Sequence, residues 1–307
     1  MSHTFCTITS KSHNVFTLAL ISKIKSKVFI LCLDNFSYVL FKKLNKNNVF
    51  LVKLDDLNII YSLNKIYNNR NYLSFIFTLK PILIFYVLNK IKKKSFLIYL
   101  DSDIYFTGTP NKLLKNVTNS SIFLTKHNFS KKNIDKKRFG IFNAGFVAFC
   151  SDFYGKKYLK LWMIECIKCC DLNLAKNTWG DQMYLNRFNK KNNKIKFLDT
   201  EIFNLAPWNI SNYSLSLKNN KLFCNGKEVI FYHFQDSMII NSKIIIMGLS
   251  NYYVNINPII KKLYLNYFFI ISKFLIKYNF KQKLWDLKIV KRLIKSLLKK
   301  DILYIKK

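Results

Sequence analysis

The chain has 307 residues, 50% hydrophobic and 16% aromatic, enough to bury a large core as one domain with an appendage or as two domains, which excludes disorder of the whole. Its 51 Lys and Arg against 16 Asp and Glu give a formal net charge of +35, yet only four of the basic residues are Arg. The lysines come with heavy use of Asn, Ile, Phe and Tyr, a mix that AT-rich coding bias produces as readily as an anionic partner selects it, and no recognition module or zinc-finger spacing assigns the charge to nucleic acid.

In chain order, short apolar runs at 4–9, 28–33, 49–54 and 96–100 read as strands, separated by an amphipathic helical pattern at 14–25 and helical stretches across 55–93. That alternation predicts an α/β fold with a parallel sheet covered by helices. The opening "MSHTFCTITSKSHN" lacks an apolar leader core, and seven Cys, an odd number, fit reduced thiols in a cytoplasmic compartment. Cys166, Cys169 and Cys170 cluster without the second CxxC or nearby His that a metal site needs, so they read as packed thiols. "YLSFIFTLKPILIFYVL", 72–88, imitates a membrane span, but Lys80-Pro81 at its centre predicts two buried pieces with a helix restarting at Pro81.

Strands are expected again at 121–125 and 146–150, with a Lys-rich loop at 126–138 between them and a helix at 153–172. The loop reads as a solvated surface, with contact to an anionic acceptor as the alternative. Beyond about Pro258 no Gly or Pro interrupts the chain, and Leu287, Val290, Ile294 and Leu297 share a helical face among lysines. We therefore expect a domain over 1–250 and a basic amphipathic helical tail over 251–307, suited to an anionic membrane surface or to packing on the body.

The densest chemical signal is "YLDSDIYF", 99–106, where Asp101 and Asp103 follow an apolar strand. If the strand continued, both carboxylates would share a face at the carboxyl end of the sheet, where open α/β folds bind ligands. A divalent cation reconciles two such charges with nothing basic adjacent, and oxygen ligands suit Mg²⁺ or Mn²⁺. A phosphatase of the haloacid-dehalogenase type also begins from D-x-D, but Tyr105 stands where that family wants Thr or Val, and no adjacent acidic pair follows downstream.

"FCTITSKSH", "TLKPILIFYVL", "FLIYLDSDIYFTGTP", "FNAGFVAF", "WGDQMYLN", "NLAPWNI" and "GKEVIFYHF" stand in the order seen in nucleotide-sugar glycosyltransferases. Over roughly 4–236 the chain resembles the GT-A fold enzymes, and within them bacterial relatives of glycosyltransferase family 8, the glycogenin-like and lipopolysaccharide galactosyltransferase-like group. That resemblance implies a Rossmann-like mixed sheet flanked by helices and transfer of a hexose from a nucleoside-diphosphate sugar, UDP-hexose favoured, to a glycan or lipid-linked acceptor, with retention. It implies Mn²⁺ or Mg²⁺ held by Asp101, Asp103 and His233. Thr7, Thr9, Lys80, Ser102, Asn143, Ala144 and Gly145 would contact the donor, and Asp181, Gln182 and Lys80 would carry the chemistry. Bacterial surface-glycan assembly at the cytosolic face of the inner membrane would be its setting. Two rivals from other classes are the Mg²⁺-dependent phosphohydrolase and a non-catalytic basic protein binding a membrane surface or nucleic acid. One departure stands out: "HFQDSMII" replaces the family's Gly-x-Lys-Pro-Trp stretch, and Pro207-Trp208 precedes His233 instead.

Overall fold

A computed structural model of the chain describes residues 3–58, 62–110, 120–174, 178–188, 192–219, 221–280 and 287–305. Strands β1 (His3–Thr9), β2 (Val28–Cys32) and β3 (Val49–Val52) alternate with helices α1 (Asn14–Ser22) and α2 (Asn35–Lys43). Helices α3 (Leu54–Leu57), α4 (Leu63–Asn68) and α5 (Tyr72–Leu88) lead to β4 (Phe96–Leu100), and a turn leads on to β5 (Ile104–Phe106). Then come β6 (Ile122–Lys126), β7 (Phe142–Cys150), α6 (Phe153–Lys168), the antiparallel pair β8 (Leu172–Asn173) and β9 (Thr178–Trp179), β10 (Ile195–Leu198) and α7 (Thr200–Phe203).

The central sheet has the order β10-β6-β7-β4-β1-β2-β3 and is parallel except for β7, which runs antiparallel to both neighbours. From β1 the chain builds outward through β2 and β3 on one side and places β4 on the other, so the carboxyl ends of β1 and β4 border a switch point, where such sheets open a ligand crevice. Both faces of the sheet are covered. Leu79, Ile82 and Leu83 of α5 and Leu159 and Trp162 of α6 pack on one face, and Leu18, Leu20 and Ile21 of α1 with Phe41 of α2 pack on the other. Burial on both faces is why the strands read as continuous apolar runs instead of alternating ones.

Three local expectations are corrected. Helix α1 is buried along Asn14–Ile21 rather than amphipathic, because a later helix covers its outer side. Helix α5 runs unbroken through Pro81; its packing on β1, β4 and α6 outweighs the roughly 3 kcal/mol that an internal proline costs. The segment expected to be a loop at 126–138 contains a 3₁₀ helix, Lys131–Phe139.

The remainder forms short strands, β11 (Leu215–Lys218), β12 (Lys221–Cys224), β13 (Lys227–Glu228), β14 (Phe231–His233), β15 (Met238–Ile239) and β16 (Ile244–Ile246), then α8 (Pro258–Lys277), α9 (Leu287–Leu298) and β17 (Ile302–Tyr304). The Asn257 side chain caps α8 by accepting from the Ile260 amide at 2.9 Å, and Pro258 fits the first turn, where no amide partner is needed. Tyr264, Tyr267, Phe268 and Ile271 of α8 are buried, with Tyr267 stacked on Phe16 of α1. The segment after 250 is thus helical for two stretches and ends in a strand, β17, paired antiparallel with β16. Helix α9 leaves Ile294, Leu297 and Leu298 exposed among its lysines. Among the described residues no helix is long and apolar enough to cross a membrane.

Candidate active site

The polypeptide turns sharply where β4 ends. Asp101 and Asp103 lie in that turn, not on the strand, so the pleat expected to align them is replaced by a bend closed by the Ile104 amide donating to the Asp101 carbonyl at 3.1 Å. The Asp101 amide in turn donates to the Gly145 carbonyl at 2.8 Å, tying the bend to β7. Strand β5 then pairs antiparallel with β14, His233 opposite Ile104, and the Phe234 amide donates to the Asp103 carbonyl at 2.9 Å. These ties bring a late histidine onto an early pair of carboxylates. One ligand atom from each of Asp101, Asp103 and His233 lies within 4.8 Å of the other two.

His233 Nε2 sits 3.0 Å from Asp103 Oδ1. That contact lacks hydrogen-bond geometry, and both ring nitrogens of this buried imidazole are without a hydrogen-bond partner. Two neighbouring ligands of an octahedral ion at about 2.1 Å stand about 3 Å apart, so the spacing suits a shared cation. Gly145 faces the cluster, and a Cβ there would come within 2.6 Å of His233 Cε1, 2.7 Å of Asn143 Oδ1 and 2.9 Å of Asp101 Oδ2. Carboxylate oxygens and one imidazole nitrogen are donors that Mn²⁺ and Mg²⁺ accept, and on these observations the residues fit such an ion.

Lys80 enters from α5. Its Nζ lies 3.0 Å from Asp181 Oδ2 and 3.2 Å from Asp101 Oδ1, and it donates to the Ala144 carbonyl at 3.2 Å. The sequence leaves its anionic partner open between phosphate and Asp103; the carboxylates it pairs with are Asp101 and Asp181. Burial alone would lower the Lys80 ammonium pKa, but the two carboxylates outweigh it and raise it above the ordinary value. Burial raises the Asp181 carboxyl above the usual range, opposed by Lys80. Burial also disfavours ionisation of Asp103 and of His233, yet their mutual attraction prevails, lowering the first and raising the second. Three carboxylates against one ammonium leave two negative charges when the imidazole is neutral, the charge a divalent cation cancels.

No protein-family model matches the chain. It is 26% identical over 247 residues to the uncharacterized protein YfnD of Bacillus subtilis (strain 168), spanning 78% of this chain and 79% of YfnD. To the uncharacterized protein YfnF of the same organism it is 27% identical over 254 residues, spanning 78% of this chain and 84% of YfnF. Among solved structures it is similar to an active-site mutant of LgtC, with a TM-score of 0.50 at 11% identity, covering 76% of this chain and 87% of that one. The chain has the GT-A fold.

On the GT-A frame, Lys80, Asp101, Asp103, Asn143, Ala144, Gly145, Asp181 and His233 gather around the crevice, and Ser102 is buried between the two aspartates. Gln182 lines a cavity of about 320 Å³ together with Lys80, Asp101, Asn143, Gly145 and Asp181, and its Nε2 donates to the Phe139 carbonyl at 2.8 Å. Thr7 and Thr9 behave differently. Both are buried, but the Thr9 hydroxyl donates to Asn14 Oδ1 and accepts from the Thr17 hydroxyl, each at 2.9 Å, fastening β1 to α1, whereas the Thr7 hydroxyl has no hydrogen-bond partner among the described residues.

Sequence reasoning missed Tyr99, whose hydroxyl donates to Asp101 Oδ1 at 2.8 Å, and His127. Burial pushes the His127 imidazolium down to about 3, so the ring is neutral. It bonds through Nδ1 to the Gly140 carbonyl at 3.0 Å and through Nε2 to the Asn143 amide nitrogen at 3.2 Å. With Nε2 accepting, Asn143 turns its oxygen toward the Gly145 amide, 3.1 Å away. Trp208 packs edge-on against both His127 and His233 and anchors its indole N–H on the His127 carbonyl at 2.9 Å. The "HN" that follows the apolar run at 122–125 was the available signal, because a histidine at the buried end of a strand needs partners on both nitrogens.

Proposed function

We propose that the protein is a metal-dependent glycosyltransferase that moves a hexose from a nucleoside-diphosphate sugar, UDP-hexose favoured, to an acceptor hydroxyl with retention. The observation that carries this reading is the convergence of Asp101, Asp103 and His233 from distant parts of the chain at the switch point of a GT-A sheet. Asp101, Asp103 and His233 would hold Mn²⁺ or Mg²⁺, which when bound neutralises charge on the donor diphosphate.

The chain's own residues supply the rest. Gly145 leaves the Asp101–His233 cluster uncrowded; Asp181, kept close to ionised Lys80, stabilises positive charge developing at the reacting carbon; and Lys80 attracts the departing diphosphate. Gln182 commits one amide hydrogen to Phe139 and presents its oxygen to a sugar hydroxyl. The acceptor oxygen forms its bond to the anomeric carbon as the carbon–phosphate-oxygen bond breaks. The electron pair leaves with the diphosphate, which takes up the hydroxyl proton. Thr9 is withdrawn from donor contact in this reading, since its hydroxyl is already satisfied by α1.

The setting we propose is bacterial surface-glycan or lipopolysaccharide assembly, with glycan or lipid-linked acceptors, at the cytosolic face of the inner membrane. Exposed Ile294, Leu297 and Leu298 among the lysines of α9 support docking on anionic lipid. Thermal-shift measurement tests the proposal: UDP or GDP should raise Tm in the presence of Mn²⁺, by about 2.7 kcal/mol of stabilisation at a roughly hundred-fold excess over Kd, and not in its absence. Asp103→Ala should abolish the shift; no shift with either nucleotide refutes the reading.

A further inference from the structure

Helix α9 turns three cations toward the 246–251 segment. Lys291, Arg292 and Lys295 line a cavity of about 280 Å³, and Ser250, Asn251 and Ser296 line it with them. The helix is anchored by Ile289 and Leu293, which pack against Met238, Ile240 and Ile246. Among the described residues none of the three cations forms an ion pair. Asp301 is the one acidic residue among the described residues of the lining, and it is fully buried and already engaged: Oδ1 accepts from the Leu249 amide and Oδ2 from the Ser250 amide, each at 3.1 Å. Three cations against one carboxylate leave two positive charges uncancelled.

Arg292 is placed before any ligand arrives. Its Nη2 donates to the Asp236 carbonyl, and Gly248, at φ +79°, backs onto the same oxygen, where a Cβ would come within 2.4 Å of it. The rest of the guanidinium fork is left for another acceptor, and a planar fork matches the oxygen pairs of phosphate. A phosphate monoester carries about −1.5 to −2 charges at neutral pH, close to what the cluster leaves open, whereas a carboxylate or a phosphodiester brings about one. A nucleic-acid backbone needs cations spread along a groove; here they converge on a single cavity.

We infer that the cavity between α9 and residues 246–251 binds a phosphate monoester, with Arg292 taking two of its oxygens and Lys291 and Lys295 completing the neutralisation. Two sources present that group. One is the head group of a monoester lipid, beside which Ile294, Leu297 and Leu298 of the same helix would meet the acyl region; the other is a soluble phosphate ester. Docking of α9 on anionic lipid, as proposed above, needs charge and apolar area but no cavity, so a discrete site goes beyond it. The site shares no residue with the cavity of about 320 Å³ beside Lys80 and Asp181, and it does not rest on the donor reading.

The test uses the full chain without nucleotide or added metal, titrated with glycerol 3-phosphate by calorimetry at constant ionic strength. Binding should be saturable, and Lys291→Gln with Lys295→Gln should weaken its Kd by about tenfold or more. Lys261→Gln with Lys262→Gln, which removes the same charge from exposed positions on α8, should change it by less than about twofold. Vesicles containing phosphatidic acid then separate the sources. Release of the protein from them by glycerol 3-phosphate marks the lipid head group, and vesicle binding indifferent to it, with the calorimetric site intact, marks the soluble ester. No saturable binding, equal weakening in the two double variants, or displacement of the ester by UDP with Mg²⁺ would overturn the site, the last because the ester would then occupy the donor's contacts. Since the titration contains no nucleotide, failure of the donor reading leaves its result standing.

Discussion

The Lys80 ammonium lies 3.0 Å from the Asp181 carboxylate, with only 5% and 4% of the two side chains exposed, and this pair joins the middle of α5 to the turn before Gln182. Neither charge is stable alone in that interior. Burying an ion uncompensated costs several kcal/mol, so Asp181 depends on Lys80, while Lys80 is held by Asp101 as well.

Lys80→Met is accordingly expected to destabilise the fold by about 3–5 kcal/mol, because it strands Asp181. Adding Asp181→Asn to that variant should restore part of the loss, giving non-additivity above about 1 kcal/mol in urea denaturation. Additive losses would mean that the two charges do not depend on one another.

Gly145→Ala probes crowding at the cluster. The added methyl would lie within 3 Å of His233, Asn143 and Asp101 atoms, so the Mn²⁺-dependent nucleotide shift should vanish while far-UV circular dichroism stays that of the wild type. An undiminished nucleotide shift would show that this glycine does not border the ligand.

His127 gives a pH prediction. Its folded pKa of about 3 lies below the ordinary 6.5, so the folded state binds fewer protons; its contribution is present above about pH 6.5 and is lost as pH falls toward 3. Between pH 7 and pH 5 the wild type should lose about 2 kcal/mol more than His127→Gln, read from urea midpoints at the two pH values. Equal slopes would show that the imidazole titrates alike in both states.

For α9, sedimentation with vesicles is the measurement. Phosphatidylglycerol vesicles should bind the protein and phosphatidylcholine vesicles should not, and binding should weaken as salt rises from about 0.1 M to 1 M and the screening length falls from about 10 Å to 3 Å. Leu297→Glu with Leu298→Glu should abolish it, since Leu298 is 82% exposed and contributes little to the folded body.

The strands and the aspartate pair were legible because their signals are local. The run 96–100 matches β4 residue for residue, and D-x-D after a buried strand limits what two carboxylates can do. His233 became legible only beside that pair. The Trp179–Phe139 stack was not, because the rings come from segments about forty residues apart whose meeting depends on the Gln182–Phe139 hydrogen bond, and no periodicity encodes that. The burial of α1 was hidden for a similar reason: its outer partner, α8, lies far downstream, and one helix's own pattern cannot announce a second covering. Lys80 was noticed as a charge in an apolar run, but its pairing with Asp101 and Asp181 joins segments far apart in the chain, which no local pattern encodes.

Gly180 has a bearing on the turn that carries Asp181. Pressed against Phe77 in a left-handed bend, it locks the indole and the acid on either side of it to one another and to α5. A side chain at this position would have to displace the Phe77 ring, so the absence of a single methyl group sets where the acid stands.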